Sequence, residues 1–335
     1  MRLLVLSSDP IALPLLEGLL HGEGEQLRLA GVVTAPDRRA GRGQRVQPNP
    51  VAAWAREAGL PVTQQEGVGL ADLESLPDFE AALVFAYGQI LSAAFLDSAP
   101  AGFFNFHPSP LPLLRGPSPL ETALAEGWEE TELCLVRMVE AMDAGPVGDR
   151  TTLRIQADET APRLRERVAA AARDRLPELA RAARGELPWR EQLDSLATYC
   201  RKIRKEDGFL DFSLPARQLE ARARAFHPWP GSSLLHDGRR CRVDGLSVET
   251  GSGPPGEILA AGDTLVVATG EDALAIQSLQ RPTRRMLPFA EAARGLGFTP
   301  GEHLAYSSAR PLVRTPRSRR PPPPRHEGTD PGPPR

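Results

Sequence analysis

Apolar residues in the front half of the chain fall into short runs separated by stretches with helical spacing. Residues 3–6 form a continuous apolar run, as in a strand buried on both faces, and 11–20 then carry apolar positions at helical spacing. The alternation continues with predicted strands at 29–34, around Val62, and at 81–86, 103–107, 133–138 and 147–155. A helix over 51–58 stops at Gly59, and a loop rich in Gly and Arg, 35–47, follows the second strand. This β-α-β order predicts an α/β fold built on a doubly wound, mostly parallel sheet. From Thr160, a candidate N-cap, one long helix is predicted with Leu164, Val168, Leu176, Leu179 and Ala183 on a single face. Its arginines (Arg163, Arg165, Arg167, Arg173, Arg175, Arg181) lie mostly off that face, as a solvated surface or, in the competing reading, an anion-binding ridge.

Gly185 and Pro188 end that helix, and the pattern changes beyond residue 205. Short β-prone runs at 232–235, 240–243, 256–260, 264–268 and 273–279 alternate with Gly- and Asp-containing turns, after a helix at 216–225. That pattern predicts a small OB-like β-barrel or a sandwich. After Leu312 come Arg317-Ser318-Arg319-Arg320 and four prolines from Pro321 to Pro324, a tail with no apolar surface to bury and an expectation of disorder or polyproline structure. The chain thus divides into a front domain (1–185), a linker (186–205), a rear barrel (206–312) and a tail (313–335).

Length and composition agree with two globular domains. The 335 residues exceed the ~150 of a typical domain, and 41% hydrophobic with 25% charged residues exclude a wholly disordered or fibrous chain. No apolar run reaches the ~18–20 residues of a membrane span. The N-terminus imitates a secretion signal, but Asp9, Pro10, Pro14 and Glu17 interrupt its apolar stretch. Cys134, Cys200 and Cys241 form no CxxC pair, which suits a reducing compartment and leads to the expectation of a cytoplasmic protein. Charge is split unevenly. Residues 1–194 hold 19 Lys+Arg against 28 Asp+Glu, and residues 195–335 hold 21 against 15. An acidic front and a basic back point to different partners, a polyanion for the rear, with an ordinary solvated surface as the competing reading.

The candidate chemistry lies in Phe103-Phe104-Asn105-Phe106-His107-Pro108. Alternate strand residues share a face, so Asn105 and His107 flank one point roughly 6.6–7 Å apart, and Pro108 places them at the strand's carboxyl end, where open α/β sheets bind ligands. Asp143, in the turn Asp143-Ala144-Gly145-Pro146, supplies a carboxylate able to orient and charge the imidazole. Neither HxH nor HExxH spacing occurs among the histidines. Gly41-Arg42-Gly43 has Val46 where a dinucleotide fingerprint needs glycine.

These motifs, taken with several others, resemble the methionyl-tRNA formyltransferase family over residues 1 to about 312. The matching front segments are Thr34-Ala35-Pro36-Asp37-Arg38 with Gly41-Arg42-Gly43, Val84-Phe85-Ala86-Tyr87-Gly88, Asn105-Phe106-His107-Pro108-Ser109, Arg115-Gly116 and Asp143-Ala144-Gly145. In the rear they are Lys202-Ile203-Arg204-Lys205-Glu206-Asp207, Ala225-Phe226-His227-Pro228-Trp229-Pro230 and Pro255-Gly256-Glu257-Ile258-Leu259. The resemblance implies a monomer that carries a formyl group from 10-formyltetrahydrofolate to the α-amino group of methionine on initiator tRNA, without a metal. It implies that Asn105, His107 and Asp143 are catalytic and that Ser109, Pro110, Leu111 and Pro112 form a folate loop, Pro110 replacing the family's leucine. Tyr87, Gly88, Gln89 and Ile90, following a strand, are expected to line the same pocket, with a place in the core as the competing reading. The resemblance further implies that Arg42, with Arg38 beside it, sits on a loop that meets the tRNA end, a surface loop without a role being the competing reading. Lys202 and Lys205, with Arg204, Arg222, Arg224, Arg239, Arg240 and Arg242, offer phosphate contacts.

Two departures stand out. Ser7-Ser8-Asp9-Pro10 replaces a glycine-containing turn after the first strand, and Thr131-Glu132 replaces Thr-Gly. The competing functions are a folate-dependent formyltransferase or formyl hydrolase acting on an amino sugar or nucleotide precursor, and an inactive tRNA-binding module.

Overall fold

The computed structural model describes residues 1–24, 26–40 and 45–315. Arg42 with its flanking glycines, and the tail beyond residue 315, lie outside the described residues. Nine strands come first: β1 (Arg2–Leu6), β2 (Arg28–Thr34), β3 (Arg38–Ala40), β4 (Arg45–Gln47), β5 (Val62–Gln64), β6 (Ala81–Val84), β7 (Gly102–His107), β8 (Glu130–Arg137) and β9 (Val147–Arg154). All but β3 and β4 join one sheet ordered β5-β2-β1-β6-β7-β8-β9, parallel from β5 to β7 and antiparallel across β8 and β9. The buried run at the start of the chain makes β1 a central strand, and order reverses beside it, which is where such sheets open a ligand crevice.

The expected loop 35–47 contains a two-stranded hairpin, β3 against β4. Its pairs, Arg38 with Gln47 and Arg39 with Val46, lack apolar alternation, so the sequence carries no strand signal there. The front helices are α1 (Leu13–Leu20), α2 (Pro50–Glu57), α3 (Ala93–Leu96), α4 (Pro119–Ala125), α5 (Ala161–Asp174) and α6 (Leu176–Ala183). Asn49 caps α2, its Oδ1 accepting from the Val51 and Ala52 N–H groups, and Pro50 fills the first position, which has no use for an N–H. The single long helix expected after Thr160 is two. It breaks at Arg175 because Pro177 lacks an N–H for the ladder, though Leu164, Val168, Leu176, Leu179 and Ala183 are all buried as predicted. Thr160 stands at the N-cap position, but its hydroxyl makes no capping bond.

The anion-ridge reading of the arginines is corrected by their partners. Arg163 pairs with Asp158, Arg165 with Asp9 and Glu121, Arg167 with Glu159, Arg173 with Glu23, Arg175 with Asp149 and Arg181 with Glu178. Burial works against Arg165's charge, and its two carboxylates more than restore it. The altered turn after β1 is stabilised by the same residues. Ser8 Oγ accepts from the Ala35 N–H at 2.9 Å, Asp9 Oδ1 caps the 3-10 turn Pro10–Ala12 at 3.0 Å, and Asp9 meets Arg165 at 2.7 Å.

The rear half begins with β10 (Tyr199–Cys200) and α7 (Ala216–Ala225), followed by β11 (Ser232–His236), β12 (Arg239–Glu249), β13 (Ile258–Ala261), β14 (Leu265–Ala268), β15 (Ala273–Gln280) and the short β16 (Leu287–Pro288). A four-residue helix, α8 (Phe289–Ala292), follows, and β17 (Val313–Arg314) pairs back onto β10. Strands β11 to β15 form an antiparallel sheet ordered β11-β12-β15-β14-β13, with β16 on β15, curled as in an OB-like half-barrel around Phe212, Leu234, Val243, Leu265, Ile276 and Phe289. Strand β12 runs past Asp244-Gly245, a pair that reads as a turn. Gly245 has φ of 65° and no Cβ to strike Gln277, so the ladder continues. The two halves are knitted together. Ile203, Ala225, Phe226 and Leu312 bury into the front core, and Arg224 Nη1 donates to the Glu159 carbonyl at 3.0 Å.

Candidate active site

Strand β7 sorts its aromatics by alternation. Phe104 and Phe106 enter the larger core, and Phe103 packs on the opposite face, the face that carries Asn105 and His107. The loop from Met138 to Pro146 crosses this face: Met138 N–H donates to the Phe103 carbonyl at 2.8 Å, and Asp143 arrives beside the imidazole. His107 is 5% exposed. Its Nε2 lies 3.1 Å from the Leu114 carbonyl, which can only accept, so Nε2 carries a proton. That leaves Nδ1 to face the site, 3.7 Å from Asp143 Oδ1, too far for a direct hydrogen bond. Asn105 is half-buried, and among the described residues its side-chain amide has no hydrogen-bond partner. One amide is free, one ring nitrogen is free, and one carboxylate stands next to it.

Asp143 is held in a strained conformation, with φ of 51°. Its Oδ2 accepts from the Gly116 N–H at 2.7 Å. Gly116 must be glycine: φ is 118°, and a Cβ would sit 2.4 Å from the Cys200 carbonyl oxygen. Leu114 and Ala86, at φ of 53° and 52°, put two more of the six described non-glycine residues with positive φ at the borders of this site. Arg115 is buried, donating to Gln192 Oε1 from Nε and Nη2 at 3.1 and 2.9 Å and to Asp194 at 2.8 Å. Gln192 Nε2 in turn donates to the Asp143 and Gly145 carbonyls, both at 2.7 Å.

The expected folate loop is well anchored. Ser109 is buried, with its hydroxyl spent on the Leu113 carbonyl at 2.7 Å, and Leu111 packs with Cys134, Val136 and Val147, so both face inward. Pro110 and Pro112 are half-buried, and the Leu111–Pro112 peptide is cis. Cys134 Sγ donates to the Ser109 carbonyl at 3.1 Å, and Arg150, paired with Glu132, donates to the Leu111 carbonyl at 2.7 Å. Glu132, the second departure, therefore helps hold this loop. Burial pushes the Cys134 thiol up to about 12 and the Cys200 thiol up to about 11, so neither is a nucleophile. Tyr87 is buried with no hydrogen-bond partner among the described residues, and burial, helped by Asp72, pushes its phenol up to about 12. Gln89 Nε2 reaches the Gln65 carbonyl at 3.4 Å, while its Oε1 is buried without a partner. Gly88 is exposed, and Ile90 is 80% exposed.

Residues 1–179 match the family model described as formyl transferase, and 202–297 match formyl transferase, C-terminal domain. A methionyl-tRNA formyltransferase of Roseiflexus castenholzii is 36% identical over 313 residues, covering 91% of this chain and 99% of the relative. The chain belongs to the methionyl-tRNA formyltransferase family. A Thermus thermophilus methionyl-tRNA formyltransferase is likewise 36% identical over 316 residues, covering 91% of this chain and 99% of its own. Among solved structures, the N-formyltransferase from Helicobacter canadensis, in complex with folinic acid and dTDP-3-aminofucose, aligns with a TM-score of 0.63 at 14% identity, covering 84% of this chain and 99% of that one. HypX from Aquifex aeolicus, in complex with tetrahydrofolic acid, aligns at 0.55 and 18% identity over 92% of this chain and 51% of its own. At those identities the likeness concerns the fold.

Against the formyltransferase family's pattern, the expected tRNA contacts divide. Arg38 is exposed on the β3–β4 hairpin, whose base is fastened by Asp37. Hydrogen bonds from the Asn49 N–H and the Gln64 amide hold the Asp37 carboxyl below its usual range. Lys202, Arg204 and Lys205 are exposed, as is Arg239. Arg222 is not available for a phosphate: it is buried, stacked on Phe226, with burial pulling its pKa down. Arg224 is spent on Glu220 and the Glu159 carbonyl, and Arg240 lies over Phe209. Sequence reasoning missed Gln192, Thr198, Cys134 and Arg150, which touch the site loops from distant positions and carry no local motif.

Proposed function

We propose that this chain transfers the formyl group of 10-formyltetrahydrofolate to the α-amino group of methionine on initiator tRNA. The observation that supports this most is the meeting of His107 Nδ1 and Asp143 at 3.7 Å on the strand face where the Asn105 amide has no partner among the described residues. On this reading the folate lies between the Ser109–Pro112 and Tyr87–Ile90 segments. Exposed Ile90, Val139 and Met142 offer apolar contact, and Tyr87 and Gln89 bring buried polar atoms without partners.

The neutral methionine amine attacks the formyl carbon, and charge develops on the formyl oxygen. Asn105 and the protonated Nδ1 of His107 donate to that oxygen, in a setting already ordered before reaction. The Leu114 carbonyl fixes the ring, and the Asp143 carboxylate stabilises its charge. As the new C–N bond forms and the bond to the donor nitrogen breaks, the amine gives up a proton and the departing nitrogen gains one, with His107, positioned by Asp143, the group in place to carry it.

The experiment supplies purified chain with 10-formyltetrahydrofolate and either charged initiator tRNA or a free amino sugar, and quantifies the formylated product. Formyl-methionine from the tRNA is the expected product. Turnover with the sugar alone, or tRNA binding without turnover, would refute the proposal. Salt supplies a second check. Raising it from 50 to 200 mM is expected to weaken tRNA binding steeply, with a logarithmic slope of about −0.7 to −0.9 per phosphate contact, and to leave folate affinity nearly unchanged. A salt-insensitive tRNA affinity would remove the case for Arg38, Lys202 and Lys205 as phosphate contacts.

A further inference from the structure

We infer that the segment joining the two halves is part of the catalytic centre, with Gln192 as a positioning residue for Asp143 and Thr198 as one for His107. The inference rests on the reading of Asn105, His107 and Asp143 as the formyl-transfer site.

Gln192 has four hydrogen-bonding positions in its amide, and all four are used. Its nitrogen donates to the Asp143 and Gly145 carbonyls, and its oxygen accepts twice from buried Arg115. The strained backbone of Asp143 is therefore clamped from outside its own loop. Arg115 is itself fixed through its main chain, its N–H donating to the Thr198 carbonyl at 2.9 Å and its carbonyl accepting from the Cys200 N–H at 2.8 Å. The next residue, Gly116, presents its N–H to the Asp143 carboxylate. Asp143 is thus held at both ends, by Gln192 at its carbonyl and by Gly116 at its side chain.

The His107 side is built likewise. The Thr198 hydroxyl accepts from the Leu114 N–H at 2.9 Å, and the Leu114 carbonyl is the group that fixes the imidazole. Thr198 N–H also donates to the Pro112 carbonyl at 3.2 Å, and Val147 and Arg190 exchange backbone bonds at 2.9 and 3.0 Å. Residues 190 to 200 therefore run along both loops that bring the pair together. An error of about 1 Å at a reacting group costs on the order of 10²-fold in rate.

The test uses the full chain with glycine labelled by nitrogen-15, in wild type and in Gln192→Ala, Gln192→Glu and Thr198→Val. Gln192→Glu keeps the size of the side chain and an acceptor for Arg115 but removes both donors, so it remains informative if Gln192→Ala does not fold. Both Gln192 variants are expected to lose about 10- to 100-fold in kcat with KM for each substrate within about twofold. In both, the Gly116 amide resonance is expected to move upfield as the Asp143 carboxylate leaves it. Thr198→Val is expected to lose kcat in the same way. Unchanged kcat in a folded Gln192→Glu, or a loss of kcat with the Gly116 resonance unmoved, would overturn the inference. If the wild type itself formylates no tRNA, the functional reading has failed, and the Gly116 resonance still decides whether Gln192 places Asp143.

Discussion

Replacing Asn105 with Ala is expected to lower kcat for formyl transfer by about 10²–10³ while leaving folate affinity and thermal stability close to wild type. The Asn105 amide has no hydrogen-bond partner among the described residues, so its removal breaks no bond of the fold, and β7 keeps its ladder to β6 and β8 through backbone groups. What is lost is a donor aimed at charge that exists only in the transition state, and such a loss appears in kcat and not in ground-state binding. Steady-state kinetics beside a folate titration check it. A loss of folate affinity matching the loss of rate would reassign Asn105 to binding.

The second large effect comes from a residue with no chemistry of its own. Gly145→Ala is expected to reduce kcat by at least about 10²-fold, because the new Cβ would lie 1.8 Å from the Arg137 carbonyl oxygen and 3.0 Å from its carbon. Both are backbone atoms of β8, which is paired on both edges and cannot retreat. The Asp143–Pro146 turn must move instead, carrying the carboxylate away from His107. An active Gly145→Ala enzyme would show that the turn tolerates displacement and that Asp143 does not need its observed position. Formylation rates, compared with the thermal midpoint of the same preparation, separate lost geometry from lost fold.

Much of this was legible in the sequence because the informative signals are local. A buried apolar run names β1, alternation puts Asn105 and His107 on one face of β7, and Pro108 ends the strand where ligands gather. The helix break at Arg175 was missed because the apolar face continues in phase across it, and only Pro177 marks the interruption. The β3–β4 hairpin was missed because its residues are polar on both faces. Arg222 looked like a surface charge because a buried arginine stacked on an aromatic ring has no signature in one dimension. The Arg115-Gly116 pair stood out as a motif, but its reason lies in contacts with Gln192, Asp143 and Cys200 that only the folded chain brings together.

On the mechanism proposed, Asp143 and His107 act as one unit on a single reacting carbonyl. A double-mutant cycle on His107→Ala and Asp143→Asn, read as kcat/KM for methionyl-tRNA at saturating folate, tests it most directly. The double variant is expected to be scarcely slower than His107→Ala alone, since Asp143 works through the ring. Penalties that multiply across the two substitutions would contradict it.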